Sequence, residues 1–198
     1  MIVIGITGPT GAGKTTALNE LEKLGGSIID CDAVYHDLLE SDNALQTNLR
    51  SRFGAIDNEN GGIDRKKLGA IVFQDPAALE DLNRIVHAAI TGAVQGLIRQ
   101  FGEENCPAAA IDAIALFESG LSDLCDTTLA ITAPAEVRVK RIMAREGIPE
   151  DYARSRVSAQ NPEEFYTSRC AHTLVNDCAS REDFALRAHD LLTGILEP

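Results

Sequence analysis

The chain has no tryptophan, three tyrosines and six phenylalanines, so aromatics make up 5% of its 198 residues. That leaves little with which to build the stacking platforms that hold unpaired bases. Basic residues are also scarce: 18 Lys and Arg stand against 30 Asp and Glu, a formal net charge of −12. A chain this acidic lacks the positive field of a general nucleic-acid binder, and no nucleic-acid partner is expected. No apolar run comes near the roughly 18–20 residues that span a bilayer, so no membrane partner is expected either. The stretch from Met1 to Gly8 carries no basic residue and reads as a strand rather than a signal peptide. The five cysteines (Cys31, Cys106, Cys125, Cys170 and Cys178) are odd in number and never spaced C-x-x-C, and the four histidines are scattered. Reduced thiols in a cytoplasmic protein are expected, with no zinc-type cluster.

What is present is the ordinary material of a globular domain, 44% hydrophobic and 24% charged. The length suits one domain with room for an inserted subdomain. Strand signals alternate with helix signals. Ile2-Val3-Ile4-Gly5-Ile6 is a short β-branched run of the kind buried on both faces. A Gly-rich turn follows, then Ala17, Leu18, Leu21 and Leu24 at helical spacing, stopped by Gly25-Gly26. Further strands are expected at Ser27–Ile29, in the Ala-rich stretch closed by Ile111, at Leu129–Thr132 and at Thr173–Val175. A closing helix is expected from about Arg181 to Ile195. This pattern predicts an α/β fold, a parallel five-stranded sheet flanked by helices. From Ala33 to Phe101 no strand is apparent, and Leu79, Leu82, Ile85, Val86, Ala89 and Ile90 recur at helical spacing. A helical insertion is expected there, broken by the turn at Asn58-Glu59-Asn60-Gly61-Gly62.

Gly8-Pro9-Thr10-Gly11-Ala12-Gly13-Lys14-Thr15 satisfies G-x-x-x-x-G-K-S/T in full, after a buried strand and before an amphipathic helix. The glycines let the backbone turn its N–H groups onto phosphate oxygens, and the helix aims its positive end at the same place. Lys14 suits the β- and γ-phosphates, and the Thr15 hydroxyl suits Mg²⁺. The expected nucleotide set is Gly8 to Thr15 with Thr16, and the expected ligands are a nucleoside triphosphate, ATP in the family resemblance given below, and Mg²⁺. Asp30-Cys31-Asp32 comes straight after the second strand, where ligands of such sheets collect. If the strand continues, both carboxylates share a face. One could take a proton from an attacking hydroxyl, or one could simply cap the next helix. Asp112 stands where a second metal-side acid would stand, and equally where a turn residue would.

Between Ala135 and Val157 lie 6 basic residues (Arg138, Lys140, Arg141, Arg145, Arg154 and Arg156) against 4 acidic ones. A locally positive segment in an acidic chain suggests an arginine-bearing lid, and also suits a solvated helix face with ion pairs.

Together these residues resemble the dephospho-coenzyme A kinase family. The similarity covers nearly the whole chain. It is carried by the opening strand and phosphate loop, and by Gly26-Ser27-Ile28-Ile29-Asp30-Cys31-Asp32-Ala33. Its most specific stretch is Gly62-Ile63-Asp64-Arg65-Lys66-Lys67-Leu68-Gly69-Ala70-Ile71-Val72-Phe73. Leu82-Asn83-Arg84-Ile85-Val86-His87, Leu116-Phe117-Glu118-Ser119-Gly120-Leu121 and the segment Arg141 to Gln160 add to it. The resemblance implies a P-loop NTPase-type core of residues 1–32 and 102–198, with a lid at about 138–160. It implies that residues 33–101 form a helical substrate-binding insertion. It implies Asp32 as the base for the ribose 3′-hydroxyl of dephospho-CoA, with Lys14 and Arg145 as catalytic cations. Arg65, His87, Leu116, Phe117 and Glu118 would face the substrate; a monomer is plausible. The chain departs from the family pattern where Ala88 follows His87 in place of proline, at Ile114-Ala115, at Pro9-Thr10 in the loop, and at Asp177, where asparagine is usual. A nucleoside or nucleotide kinase, or a non-catalytic ATP-binding protein, would share part of this pattern. Replacing Asp32 by asparagine is expected to lower turnover far more than ATP affinity. Steady-state kinetics beside ATP binding reads this, and equal losses in both would count against a base at Asp32.

Overall fold

The computed structural model describes residues 1–197. All five apolar runs become strands: β1 (Ile2–Thr7), β2 (Ser27–Asp30), β3 (Ala108–Asp112), β4 (Thr127–Thr132) and β5 (His172–Val175). They form one sheet in the order β2-β3-β1-β4-β5. β1 lies at its centre, parallel to β3 on one side and to β4 on the other. The central strands have no solvated face, which is why their sequences run apolar rather than alternate. Ala108, Ala109, Ala110 and Ile111 are all fully buried, and the three small alanine side chains let helices approach the sheet closely.

Two compact units divide the chain: Met1–Ile29 with Ile98–Pro198, and Asp30–Leu97. The first holds the sheet. Against it pack α1 (Lys14–Lys23) and α9 (Arg181–Leu196). Leu18, Leu21, Phe184, Ala188 and Leu192 from these helices join Ile4, Ile6, Leu129, Ile131 and Leu174 from the strands in one apolar cluster. Each large side chain buried there contributes about 1.5–3 kcal/mol. α6 (Ala135–Glu146) and α7 (Glu150–Ser158) pair through Val139, Ile142, Ala153 and Val157, and the short α8 (Glu163–Thr167) follows.

The second unit is helical: α2 (Cys31–Ser41), α3 (Asn43–Phe53), α4 (Arg65–Val72) and most of α5 (Pro76–Glu103). Aspartates start these helices. Asp30, Asp42 and Asp64 each accept two backbone N–H groups of the first turn, and Asp75 accepts that of Ala77. Such caps satisfy N–H groups that a helix leaves orphaned. The turn expected at residues 58–62 closes on itself, with Asn58 Oδ1 accepting from the N–H groups of Asn60 and Gly62. Arg50 staples that turn to α3 through Asp57 Oδ1 at 2.7 Å and Gly61 O at 2.7 Å.

One sequence expectation changes here. The second strand stops at Asp30, and α2 begins at Cys31. Asp30 and Asp32 therefore do not share a strand face. Asp30 caps the helix, its Oδ1 accepting from Asp32 N at 2.9 Å and Ala33 N at 3.1 Å, and Asp32 sits exposed in the first turn.

Replacing Leu21, which is fully buried in the main cluster, by alanine is expected to cost about 2–5 kcal/mol. A urea unfolding midpoint measured against the parent chain checks this.

Candidate active site

The phosphate loop leaves β1 and bends under two constraints that only glycine meets. A Cβ on Gly8 would stand 2.0 Å from the Ile131 carbonyl oxygen, because the loop crosses the end of β4 in contact with its backbone. Gly13 has φ +109°, and a Cβ there would stand 2.3 Å from Asn176 Nδ2. Gly13 is also the N-cap of α1 and offers no side chain to its N–H groups. A helix end opened this way is a receptor for an anion.

The loop's carbonyls are taken one after another by donors on its other side. Lys14 Nζ donates to Gly8 O at 3.2 Å. Ala12 N donates to Pro9 O, and Thr16 N to Gly13 O. Arg138 Nε donates to Thr10 O at 3.0 Å. Arg141 Nη1 reaches Gly11 O at 3.2 Å and Ala12 O at 3.3 Å. Asn176 Nδ2 donates to Ala12 O at 2.8 Å. With the carbonyls from Gly8 to Gly13 all held, the loop keeps its acceptors turned away from an incoming anion.

Arg138 and Arg141 lie on the face of α6 turned towards the loop, and burial pulls both guanidinium pKa values below the ordinary arginine range. Asn176 follows β5, is 4% exposed, and accepts from Arg141 Nη2 at 3.0 Å. The amide sought at position 177 is thus present one residue earlier. Asp177 is exposed and pairs with Arg187 at 2.9 Å, which holds its carboxyl below the usual range. Gln160 closes the set: its Oε1 accepts from Thr10 N at 3.1 Å and its Nε2 donates to Thr10 Oγ1 at 2.7 Å. A hollow of about 370 Å³ opens beside Gly13, Thr16, Arg141, Asn176 and Cys178.

The structure treats the other expected residues of this unit unequally. Arg145, at the end of α6, is exposed and paired with Glu146 at 2.5 Å. Glu146 also receives Arg156, and the two guanidinium groups keep its carboxyl low. Only part of the basic segment is therefore free of the core: Arg138 and Arg141 belong to the loop's support, not to a lid. Leu116 has no exposed surface and packs under Gly5, as a core residue does. Phe117 is half-buried, and Glu118 is exposed and accepts from Asn161 Nδ2 at 3.1 Å. Asp112 ends β3 in register with Ile6, near the start of the loop. Thr15 is exposed in the first turn of α1. A lone hydroxyl suits Mg²⁺ held mainly by nucleotide phosphates and water. Among the described residues no group of three His, Cys, Asp or Glu is placed to form a metal cage.

In the helical unit, Arg65 opens α4 and its Nη1 stands 3.1 Å from His36 Nδ1. It borders a hollow of about 750 Å³ whose walls include Tyr35, Ile63, Leu68, Val72 and Phe73. Burial raises the Tyr35 hydroxyl above its ordinary pKa, with Arg65 pulling the other way. Phe73 is 84% exposed at this hollow, an unusual setting for a phenylalanine ring. His87 lies half-buried on α5.

Arg138, Arg141, Asn176 and Gln160 were not among the expected site residues. The one signal for Asn176 was a polar residue directly after an apolar strand, and for Arg138 and Arg141 a position three apart on one helix.

A parallel sheet that presents such a loop, its lysine and threonine in place and its carbonyls braced by arginines, is that of a P-loop kinase. The family model for dephospho-CoA kinase matches residues 2–182. The dephospho-CoA kinase of Dehalococcoides mccartyi is 35% identical over 179 residues, 90% of each chain. Among solved structures, the dephospho-CoA kinase from Campylobacter jejuni aligns with a TM-score of 0.72 at 26% identity, covering 98% of this chain and 97% of its own. A Thermus thermophilus protein aligns with a TM-score of 0.80 at 31% identity over the same shares of the two chains. The chain belongs to the dephospho-CoA kinase family.

Replacing Asn176 by aspartate keeps the shape and removes the donor to Ala12 O. It is expected to cost about 1–3 kcal/mol of stability and to weaken ATP binding in parallel. Thermal unfolding and calorimetric titration with ATP check the two effects.

Proposed function

We propose that this protein transfers the γ-phosphoryl group of ATP to the ribose 3′-hydroxyl of dephospho-CoA, giving coenzyme A and ADP. The observation that carries this reading is the phosphate loop with all its carbonyls engaged, in a chain of the dephospho-CoA kinase family. The 3′-oxygen forms the new bond to the γ-phosphorus as the bond to the β–γ bridging oxygen breaks, in line. Asp32 takes the hydroxyl proton. Lys14 neutralises charge on the β- and γ-phosphates, with the loop's N–H groups around them. Mg²⁺, met by the Thr15 hydroxyl, supplies further charge neutralisation when bound with the nucleotide. We assign adenine to the hollow beside Gly13, Thr16 and Arg141. Arg145 serves the phosphates by exchanging Glu146 for them, a swap of one surface ion pair for another and so of small net cost.

On the acceptor side, the larger hollow suits the pantetheine arm: apolar walls for its methylenes, and Arg65 for the diphosphate to which the arm is joined. His87, Phe117 and Glu118 complete the acceptor set in this reading, and Leu116 supports Phe117 from the core. Among the described residues no helix is long and apolar enough to cross a membrane. A cytoplasmic enzyme acting as a monomer on this small-molecule substrate is part of the same proposal.

A coupled ADP-release assay with ATP and Mg²⁺ tests it, with dephospho-CoA, adenosine, AMP and pantetheine derivatives as parallel acceptors. Turnover with dephospho-CoA alone, with the 3′-phosphate as product, is expected, and ADP release without acceptor should be low. Turnover with another acceptor would keep a P-loop kinase and discard this substrate.

A further inference from the structure

Thr10 is the one residue of the phosphate loop whose three polar groups are all held by side chains. Its carbonyl accepts from Arg138 Nε at 3.0 Å. Its N–H donates to Gln160 Oε1 at 3.1 Å, and its hydroxyl accepts from Gln160 Nε2 at 2.7 Å. Arg138 Nη2 donates to that same Gln160 Oε1, so the two clamping side chains also hold each other. The clamp joins the loop to two segments remote from it in sequence: α6 and the turn just after α7.

Arg138 is 6% exposed, and the two groups that accept its hydrogen bonds are neutral. Glu163 lies close enough to act on it through space, but its Oε1 accepts from Thr132 Oγ1 at 2.8 Å rather than from the guanidinium. A buried cation bonded only to neutral acceptors is costly unless an anion arrives nearby. Solvent and salt screen it poorly, so its field reaches the loop's other face.

We infer that Arg138 is a positioning residue for the phosphate loop: with Gln160 it locks the loop's first turn through Thr10, and its buried charge draws the polyphosphate chain onto the N–H face. This rests on the reading that ATP occupies the loop. A guanidinium that merely propped up the fold would affect all ligands alike. One that acts through charge affects them in proportion to the phosphates they carry.

The test is equilibrium binding of ATP, ADP and AMP, each with Mg²⁺, to the full chain and to Arg138→Met, Arg138→Lys and Gln160→Glu, with thermal unfolding measured alongside. Arg138→Met is expected to weaken ATP by about tenfold, the scale of one charge-assisted contact, with a smaller loss for ADP and little for AMP. Arg138→Lys should recover part of the ATP loss. Gln160→Glu keeps an acceptor for Arg138 and for Thr10 N while neutralising the cation. It should move ATP binding in the same direction with little change in unfolding temperature, and it carries the test if Arg138→Met does not fold. Equal losses for the three nucleotides, or losses that follow the unfolding temperature alone, would overturn the inference. A parent chain that binds no ATP would instead overturn the functional reading, and this inference with it.

Discussion

A loop that is to hold an anion with its N–H groups must have its carbonyls held by something else. Each peptide unit carries both groups in fixed opposition, so turning the donors towards the ligand turns the acceptors towards the protein. In this chain the demand is met carbonyl by carbonyl, by Lys14, Arg138, Arg141, Asn176 and the loop's own N–H groups. Much of the first unit can be read from that requirement. α6 must come close enough for two arginines to reach the loop. β5 must end where Asn176 can insert beneath Ala12. The backbone of β4 must touch Gly8 so tightly that no side chain fits.

The acidic composition follows a different logic in the second unit. There, aspartates are used as helix starts: Asp30, Asp42, Asp64 and Asp75 each accept first-turn N–H groups. An acidic group in that place also meets the positive end of the helix. In the double Asp motif after β2, Asp30 caps α2 and Asp32 stands exposed in the first turn.

The elements were legible because they rest on local rules. Ile2 to Ile6 reads as a strand from its branching, Gly25-Gly26 stops α1 whatever surrounds it, and the loop motif declares its own backbone. The site was legible to the same depth: Lys14 and Thr15 follow from the motif alone. Local rules do not decide which residues of a segment face inwards. Through the family resemblance of its segment Leu116 is expected at the substrate, whereas it is fully buried and packs under Gly5. The basic segment from Ala135 to Val157 suggests a single lid, whereas the structure divides its arginines. Arg138 and Arg141 face inwards, and Arg145 stands one turn on, paired with Glu146. The family pattern has its amide at position 177, where this chain carries Asp177, and the buried amide is that of Asn176; adjacent residues on an extended chain point opposite ways, and only packing says which of the two is inside.

By itself, then, the sequence determined the class of fold, the order of strands and helices along the chain, and the phosphate loop, because each depends on backbone preferences within a few residues. Only the tertiary structure decided what holds that loop. Arg138 reaches Thr10 across 128 residues, and Asn176 reaches Ala12 across 164. Contacts of that span exist because β4 and β5 pair beside β1, an arrangement that buries both faces of the central strands and that no local preference contains.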